Sequence, residues 1–234
     1  MKNELLLIPE KADSERESVA KAWIKNGGEV IRIGKFWERP TSLSGRISIY
    51  GNDTFSLVLA QVIGVDLMQI QDDSISKLDI NWIKRKIRIE ELSNFQTLSF
   101  PIFIKPVKPK LFSSKVYQSK PEFLSATADL SSSEKIIVSE IIEIETEIRA
   151  FVLDKTILDA AVYSGSGDLN SANKFINDFI HNNHIELPKS YVVDIGFNSN
   201  VGWFIIEFNS SWGAGLNSCD PEKVIYGIRE ATIN

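Results

Sequence analysis

The stretch Tyr191–Asn209, reading YVVDIGFNSNVGWFIIEFN, restricts the possible folds of this chain more than any other. Val192, Val193, Ile195 and Phe197 lead into a turn-rich FNSNVG, and Trp203–Phe208 lead out of it, which is the pattern of a β-hairpin. Strand side chains alternate between two faces. Phe204, Ile206 and Phe208 are therefore expected on one face, with Glu207 and Asn209 on the other. In the first strand Val193, Ile195 and Phe197 share a face and Asp194 lies opposite. A turn centred near Asn200 and Val201 sets Asp194 across from Glu207, where Cβ atoms of facing residues stand roughly 4.5–5.5 Å apart. Two carboxylates that close repel, so the polar face implies a cation between them. Three oxygen donors suit a hard ion such as Mg²⁺, which takes a few carboxylates together with substrate phosphates.

The rest of the composition narrows the setting. A chain of 234 residues forms one domain or two small ones. With 43% hydrophobic and 24% charged residues it reads as an ordinary globular protein. A net charge of −5 gives no general basic footprint for nucleic acid. The basic run Lys84-Arg85-Lys86-Ile87-Arg88 is expected to be a solvated helix–strand junction. The one cysteine, Cys219, rules out an internal disulfide and a cysteine zinc site, and a structural or incidental role is expected for it. No segment approaches the ~20 apolar residues needed to span a bilayer. The N-terminal apolar run is too short for a signal peptide. A reducing cytoplasmic setting without membrane contact is the expectation.

Residues 1–98 alternate strands and helices: Glu4–Ile8, then a helix over Ser14–Asn26, Glu29–Ile33, Arg46–Tyr50, a helix capped by Asp53, and a strand Asp66–Ile70. Such alternation predicts parallel strands in an α/β layer. Ligands then collect at the carboxyl ends of the strands, which makes Tyr50–Thr54 a candidate substrate-side loop. Gly28–Lys35 superficially resembles a phosphate loop, but Phe36 stands where Ser or Thr is needed and the middle reads as a strand. Gly165-Ser166-Gly167 reads as a flexible loop.

From Pro101 the pattern changes. PIFIKP is a short strand ending near Lys105, VKPKLFSSKVYQ a loop or small hairpin carrying Lys115, and Pro121–Leu130 a helix. Strands follow at Lys135–Ile142, Glu147–Leu153 and Thr156–Tyr163, the last two joined through Asp154-Lys155. A helix over Ser171–Asn183, the hairpin and a helix over Pro221–Ala231 complete an α+β half. Lys105, Lys115, Glu140, Glu147, Arg149, Asp194, Glu207 and Asn209 mostly interrupt apolar strands, and charges there need partners. A nucleoside triphosphate with Mg²⁺ satisfies the set: lysines on phosphates, hairpin acids on the metal, and the Glu140–Ile142 backbone beside a planar base.

FIKP, a small-residue loop with a second lysine, VSEII, EIR-FV, VVD and IIEFN, in that order, resemble the ATP-grasp superfamily. The match is closest to its small clade named for two arginines and one lysine, and it covers about Phe100 to the C-terminus. The resemblance implies an α+β ATP-grasp fold over residues 99–234, with a lid subdomain about 106–140 and a metal-binding subdomain about 141–234. Residues 1–98 would form an N-terminal α/β domain. ATP and Mg²⁺ are the implied cofactors. Lys105 and Lys115 would bind phosphates, Glu140 and Ile142 the adenine, and Glu143 or Glu145 the ribose, with Glu147 also at the nucleotide. Arg149 and Lys115 would be catalytic, Arg149 meeting the γ-phosphate or the acyl phosphate. Asp194, Glu207 and Asn209 would bind one or two Mg²⁺ ions.

The implied activity is a carboxylate–amine or carboxylate–thiol ligase acting on small-molecule or peptide substrates. A kinase and a non-catalytic nucleotide-binding module are the alternatives, and a homodimer is allowed. Two departures bear on the substrate. Ser164 follows Tyr163 where the clade has its second arginine, leaving Lys174 or Arg229 as spatial substitutes. The lid loop Phe112-Ser113-Ser114-Lys115 is also poor in glycine.

Overall fold

The computed structural model describes residues 3–41 and 43–233. An N-terminal layer contains β1 (Glu4–Pro9), α1 (Ser14–Lys25), β2 (Glu29–Ile33), β3 (Arg46–Ile49) and α2 (Asp53–Ile63). Its three strands run parallel in the order β2-β1-β3. Asp13 caps α1 by accepting from Arg16 N, and Asn52 rather than Asp53 caps α2, its Oδ1 accepting from Phe55 N at 3.0 Å. The expected strand over Asp66–Ile70 is shorter, β4 (Asp66–Leu67), and pairs with the C-terminal strand.

After β4 the chain forms α3 (Ile80–Ile83) and β5 (Ile87–Glu91), then β6 (Ile102–Pro106), β7 (Lys115–Tyr117), α4 (Lys120–Ala126) and β8 (Lys135–Ser139). These strands make an antiparallel sheet ordered β5-β8-β6-β7. The next elements are β9 (Thr146–Leu153), β10 (Thr156–Ser164), α5 (Leu169–Asn182), β11 (Ser190–Asn198) and β12 (Gly202–Asn209). They form a second antiparallel sheet, β10-β9-β11-β12. α6 (Pro221–Glu230) and β13 (Thr232–Ile233) end the chain.

The sheet of β9–β12 is buried on both sides. Ala172, Ile176, Phe179 and Ile180 of α5 cover one face, against Ile148, Ala150, Val152, Tyr191, Val193, Ile195 and Ile205. Phe151, Ala161 and Val192 face the other way, into a core shared with α1, α6, Leu6 and Ile8. Each fully buried aliphatic or aromatic side chain contributes about 1.5–3 kcal/mol.

Three local expectations are corrected. β8 ends at Ser139, so Glu140, Ile141 and Ile142 lie beyond the strand. Gly165-Ser166-Gly167 packs rather than floats: Thr146 Oγ1 donates to Ser166 O at 2.7 Å, and a Cβ on Gly165 (φ +71°) would stand 2.1 Å from Glu145 O. The third correction is in the hairpin. Asp194 pairs with Glu207 as expected, but the next pair is Ile195 with Ile205, so Ile206 is an extra, bulged residue. The bulge reverses the alternation. Ile205 and Phe208 share the apolar core, whereas Phe204 turns to the acid face, where its ring would lie 2.7 Å from a Cβ on Gly196.

Candidate active site

β9, β11 and β12 set the polar group. Arg149 pairs with Asp194, and Asp194 with Glu207, across adjacent strands. The Arg149 guanidinium grips Asp194 with two bonds, Nε to Oδ1 at 2.8 Å and Nη2 to Oδ2 at 2.6 Å, and Nη1 donates to Gly215 O at 2.9 Å. Three bonds leave two of the five N–H donors of arginine uncommitted. Asp194 is 2% exposed, and burial pushes its carboxyl above the usual carboxylate value despite the arginine. Tyr163 donates to Glu147 Oε2 at 2.9 Å and lies under the Arg149 guanidinium. Burial, then the Asp194 charge, raise the Tyr163 hydroxyl well above its ordinary range, so it stays a donor.

Asn209 Nδ2 stands 3.2 Å from Asp194 Oδ2 and 3.3 Å from Glu207 Oε1. A positively polarised NH₂ thus bridges the two carboxylates, which is the place a cation would take. Turning the amide over would present its oxygen instead. Among the described residues no group of three or more His, Cys, Asp or Glu side chains converges as a metal site. The donor set is two carboxylates and an amide, all hard oxygen ligands, and it fits Mg²⁺ better than a softer ion.

A cleft of about 640 Å³ opens beside this group, lined by Lys105, Glu207, Asn209, Lys110, Ser114 and Asp53 among others. Lys105 Nζ reaches Glu207 Oε2 at 3.7 Å, linking the two antiparallel sheets across the cleft. Lys110 Nζ contacts Asp53 Oδ2 at 2.6 Å, so the loop after β6 touches the start of α2. From sequence, Lys110 is only a residue of the VKPKLFSSKVYQ loop. Its place on the cleft follows from the long-range fold.

Other sequence candidates lie apart from that cleft. Lys115 Nζ is paired with Glu122 Oε1 at 2.6 Å and sits over the Tyr117 ring. Glu140 accepts from Lys86 N at 2.8 Å, and its own amide donates to Lys86 O. Glu145 accepts from Ser199 N and Oγ, each at 2.8 Å, and these bonds lower its carboxyl. Ile142 is half-buried just beyond β8. Arg229 is committed to Glu4 and Glu230, and Lys174 is exposed on α5. Cys219 is buried, and burial pushes its thiol up to about 12, as expected for a structural residue. The sequence reading missed Arg85. It is half-buried rather than fully solvated and bonds to both antiparallel sheets, through Ser139 Oγ at 3.2 Å and Ile205 O at 3.0 Å.

Two antiparallel sheets facing one another across a charged cleft, with an acid-bearing hairpin at its floor, define an ATP-grasp protein. A family model described as ATP-grasp domain, R2K clade family 2, matches residues 82–226, and the chain belongs to that family. The fold is similar to that of the RimK domain ATP-grasp protein of Sphaerobacter thermophilus. That match has a TM-score of 0.59 at 12% identity and covers 97% of this chain and 98% of the other. N5-carboxyaminoimidazole synthetase from Staphylococcus aureus gives a TM-score of 0.61 at 11% identity, over 100% of this chain and 79% of the other. A Chryseobacterium gregarium RiPP-associated ATP-grasp ligase, in complex with ADP and a leader and core peptide, gives 0.53 at 14% identity over 97% and 96%. No match to a curated protein is found by sequence. No helix among the described residues is long and apolar enough to cross a membrane.

Proposed function

We propose that this protein is an ATP- and Mg²⁺-dependent ligase that activates a carboxylate and joins it to an amine or another nucleophile. One observation carries the reading: the series Lys105, Glu207, Asn209, Asp194 and Arg149 runs from the cleft wall to the hairpin floor through contacts of 3.7 Å or less. Lys105 and Arg149 flank the two carboxylates, with the neutral Asn209 amide between Glu207 and Asp194, so cationic donors for phosphate and oxygen donors for a cation stand side by side.

In this reading Lys105 holds phosphate oxygens, and Lys115 joins it by exchanging Glu122 for phosphate when the lid loop closes. Ile142 offers its backbone to the base; its amide and carbonyl take no partner among the described residues. Glu140 would also meet the base, Glu143 or Glu145 the ribose, and Glu147 the nucleotide. Asp194, Glu207 and Asn209 would hold Mg²⁺, which when bound neutralises phosphate charge. A substrate carboxylate oxygen attacks the γ-phosphorus and the bond to the β-phosphate oxygen breaks, releasing ADP. The nucleophile then adds to the acyl carbon, phosphate leaves, and the nucleophile's proton passes to solvent. The two uncommitted N–H groups of Arg149 stabilise charge on the transferred phosphoryl group. Catalysis of this kind is mainly positioning and neutralisation.

The Arg149 grip on both Asp194 oxygens favours one rival, a nucleotide-binding module without turnover. Release of ADP only when acid and nucleophile are both present supports the ligase and excludes that module.

Binding is tested by thermal shift. With Mg²⁺ and ATP near 100-fold above Kd the gain is about 2.7 kcal/mol, or roughly 5–10 °C in Tm for a chain of this size. Glu207→Gln is expected to keep the metal-free Tm within about 2 °C and to lose that shift. An undiminished shift in the variant would remove Glu207 from the metal site.

A further inference from the structure

Arg85, half-buried, bonds to both antiparallel sheets and has no role in the reading above. It follows Lys84, which turns the chain at φ +53° out of α3 and sends the next side chain inward. Its Nε donates to Ser139 Oγ at the end of β8. Nη1 donates to Ile83 O at 2.9 Å and Ile205 O at 3.0 Å, and Nη2 to Ile206 O at 3.4 Å. The guanidinium carbon stands 5.4 Å from the centre of the Phe204 ring. Every acceptor is neutral; among the described residues the guanidinium contacts no carboxylate. Burial pushes it down to about 10, so it remains charged at neutral pH.

The acceptors are informative. In a regular strand successive carbonyls point to opposite edges. One guanidinium here reaches the carbonyls of two successive residues, Ile205 and Ile206, which requires the strand to depart from regular geometry at that point. Ile206 is the bulged residue. β12 is also the edge strand of its sheet, so no further strand takes up these carbonyls. A rigid fork with several donors matches such a pair, whereas a lysine offers a single point of charge.

We propose that Arg85 is a positioning residue for the Glu207 carboxylate: it holds the bulge carbonyls of Ile205 and Ile206 and thereby keeps Glu207 on the same face as Asp194. The inference rests on the reading of Glu207 as a metal ligand. Without the bulge, a shift of one residue moves every later side chain of β12 to the other face. Glu207 would then turn away from Asp194, and the metal would lose a ligand while Lys105 kept its place.

The test is a Mg²⁺ titration of the full chain at fixed ATP, read as thermal stabilisation, for wild type, Arg85→Met, Arg85→Lys and Ser139→Ala. Groups that orient metal ligands typically change metal affinity by about 10–100-fold. Arg85→Met is expected to raise the half-saturating Mg²⁺ concentration at least about 10-fold, while ATP binding without metal stays close to wild type. Arg85→Lys is expected to recover part of the loss, and Ser139→Ala, which removes one anchor and no charge, to shift the requirement by a small factor in the same direction. If Arg85→Met does not fold, the lysine and alanine variants decide the matter, and a wild-type Mg²⁺ requirement in both overturns the proposal. A lowered metal-free Tm with an unchanged Mg²⁺ requirement also overturns it, because Arg85 would then be structural only. Wild-type protein that responds to ATP without any Mg²⁺ dependence removes the metal reading itself, a result separable from the other two.

Discussion

Arg149 and Asp194 show why the loss of one charge differs from the loss of a pair. Their side chains are 10% and 3% exposed, so each relies on the other for the solvation that water would provide. Replacing Arg149 by Met leaves a buried carboxylate with the Asn209 amide as its remaining side-chain donor among the described residues. Breaking a buried pair in this way costs about 3–5 kcal/mol. Arg149→Met is therefore expected to lose that much stability in urea unfolding without nucleotide, and Arg149→Met with Asp194→Leu to lose less than the single change. Equal loss in both would mean that the pair adds stability beyond its desolvation. The sequence grouped these residues because both interrupt apolar strands, where a charge needs a partner. It did not show that they bond to each other, since the register between β9 and β11 depends on strands separated by a whole helix.

The hairpin of β11 and β12 was legible for a related reason: its register comes from a local turn and from alternation within a few residues. The Asp194–Glu207 pairing follows from these alone. The bulge at Ile206 does not: its carbonyl is met by Arg85, far away in sequence in the link between α3 and β5. This one irregular residue accounts for the misplacement of Phe204. Gly196 records the outcome on the facing strand. A Cβ there would come within 2.7 Å of the Phe204 ring and 3.2 Å of Ile144 Cγ2. Gly196→Val therefore adds volume where the ring must lie, and overpacking of this kind costs about 1–3 kcal/mol. The expected result is a Tm lowered by roughly 2–10 °C for a chain of this size. An unchanged Tm would mean that Phe204 readily moves away and that the acid face is less tightly packed than its geometry indicates.

At the scale of the whole chain, sequence pattern suggested a boundary near residue 98, but packing joins the two sides. Leu6, Ile8, Val19, Trp23 and Tyr50 share a core with Phe151, Val192, Val224, Ile225 and Ile228. Tyr50 donates to Ala214 O at 2.9 Å, and Trp212 to Met68 O at 2.7 Å. Arg229 bonds Glu4. These contacts link residues more than a hundred positions apart, beyond the reach of any local periodicity. The final strand is a small part with large consequences. Thr232, 1% exposed, accepts from Ile49 N through its hydroxyl, β13 pairs with β4, and Ala231 O takes Met68 N at 2.8 Å. A chain ending at Glu230 would leave the Ile49 and Met68 amides of the N-terminal layer without these acceptors, each at about 1–3 kcal/mol. Such a truncation is expected to lower stability by several kcal/mol and to do so for the whole molecule. Unfolding in urea should remain a single transition, with tryptophan fluorescence and circular dichroism coincident. Two separated transitions, with the ATP-dependent one unmoved by the truncation, would instead show that the N-terminal layer unfolds independently of the nucleotide cleft.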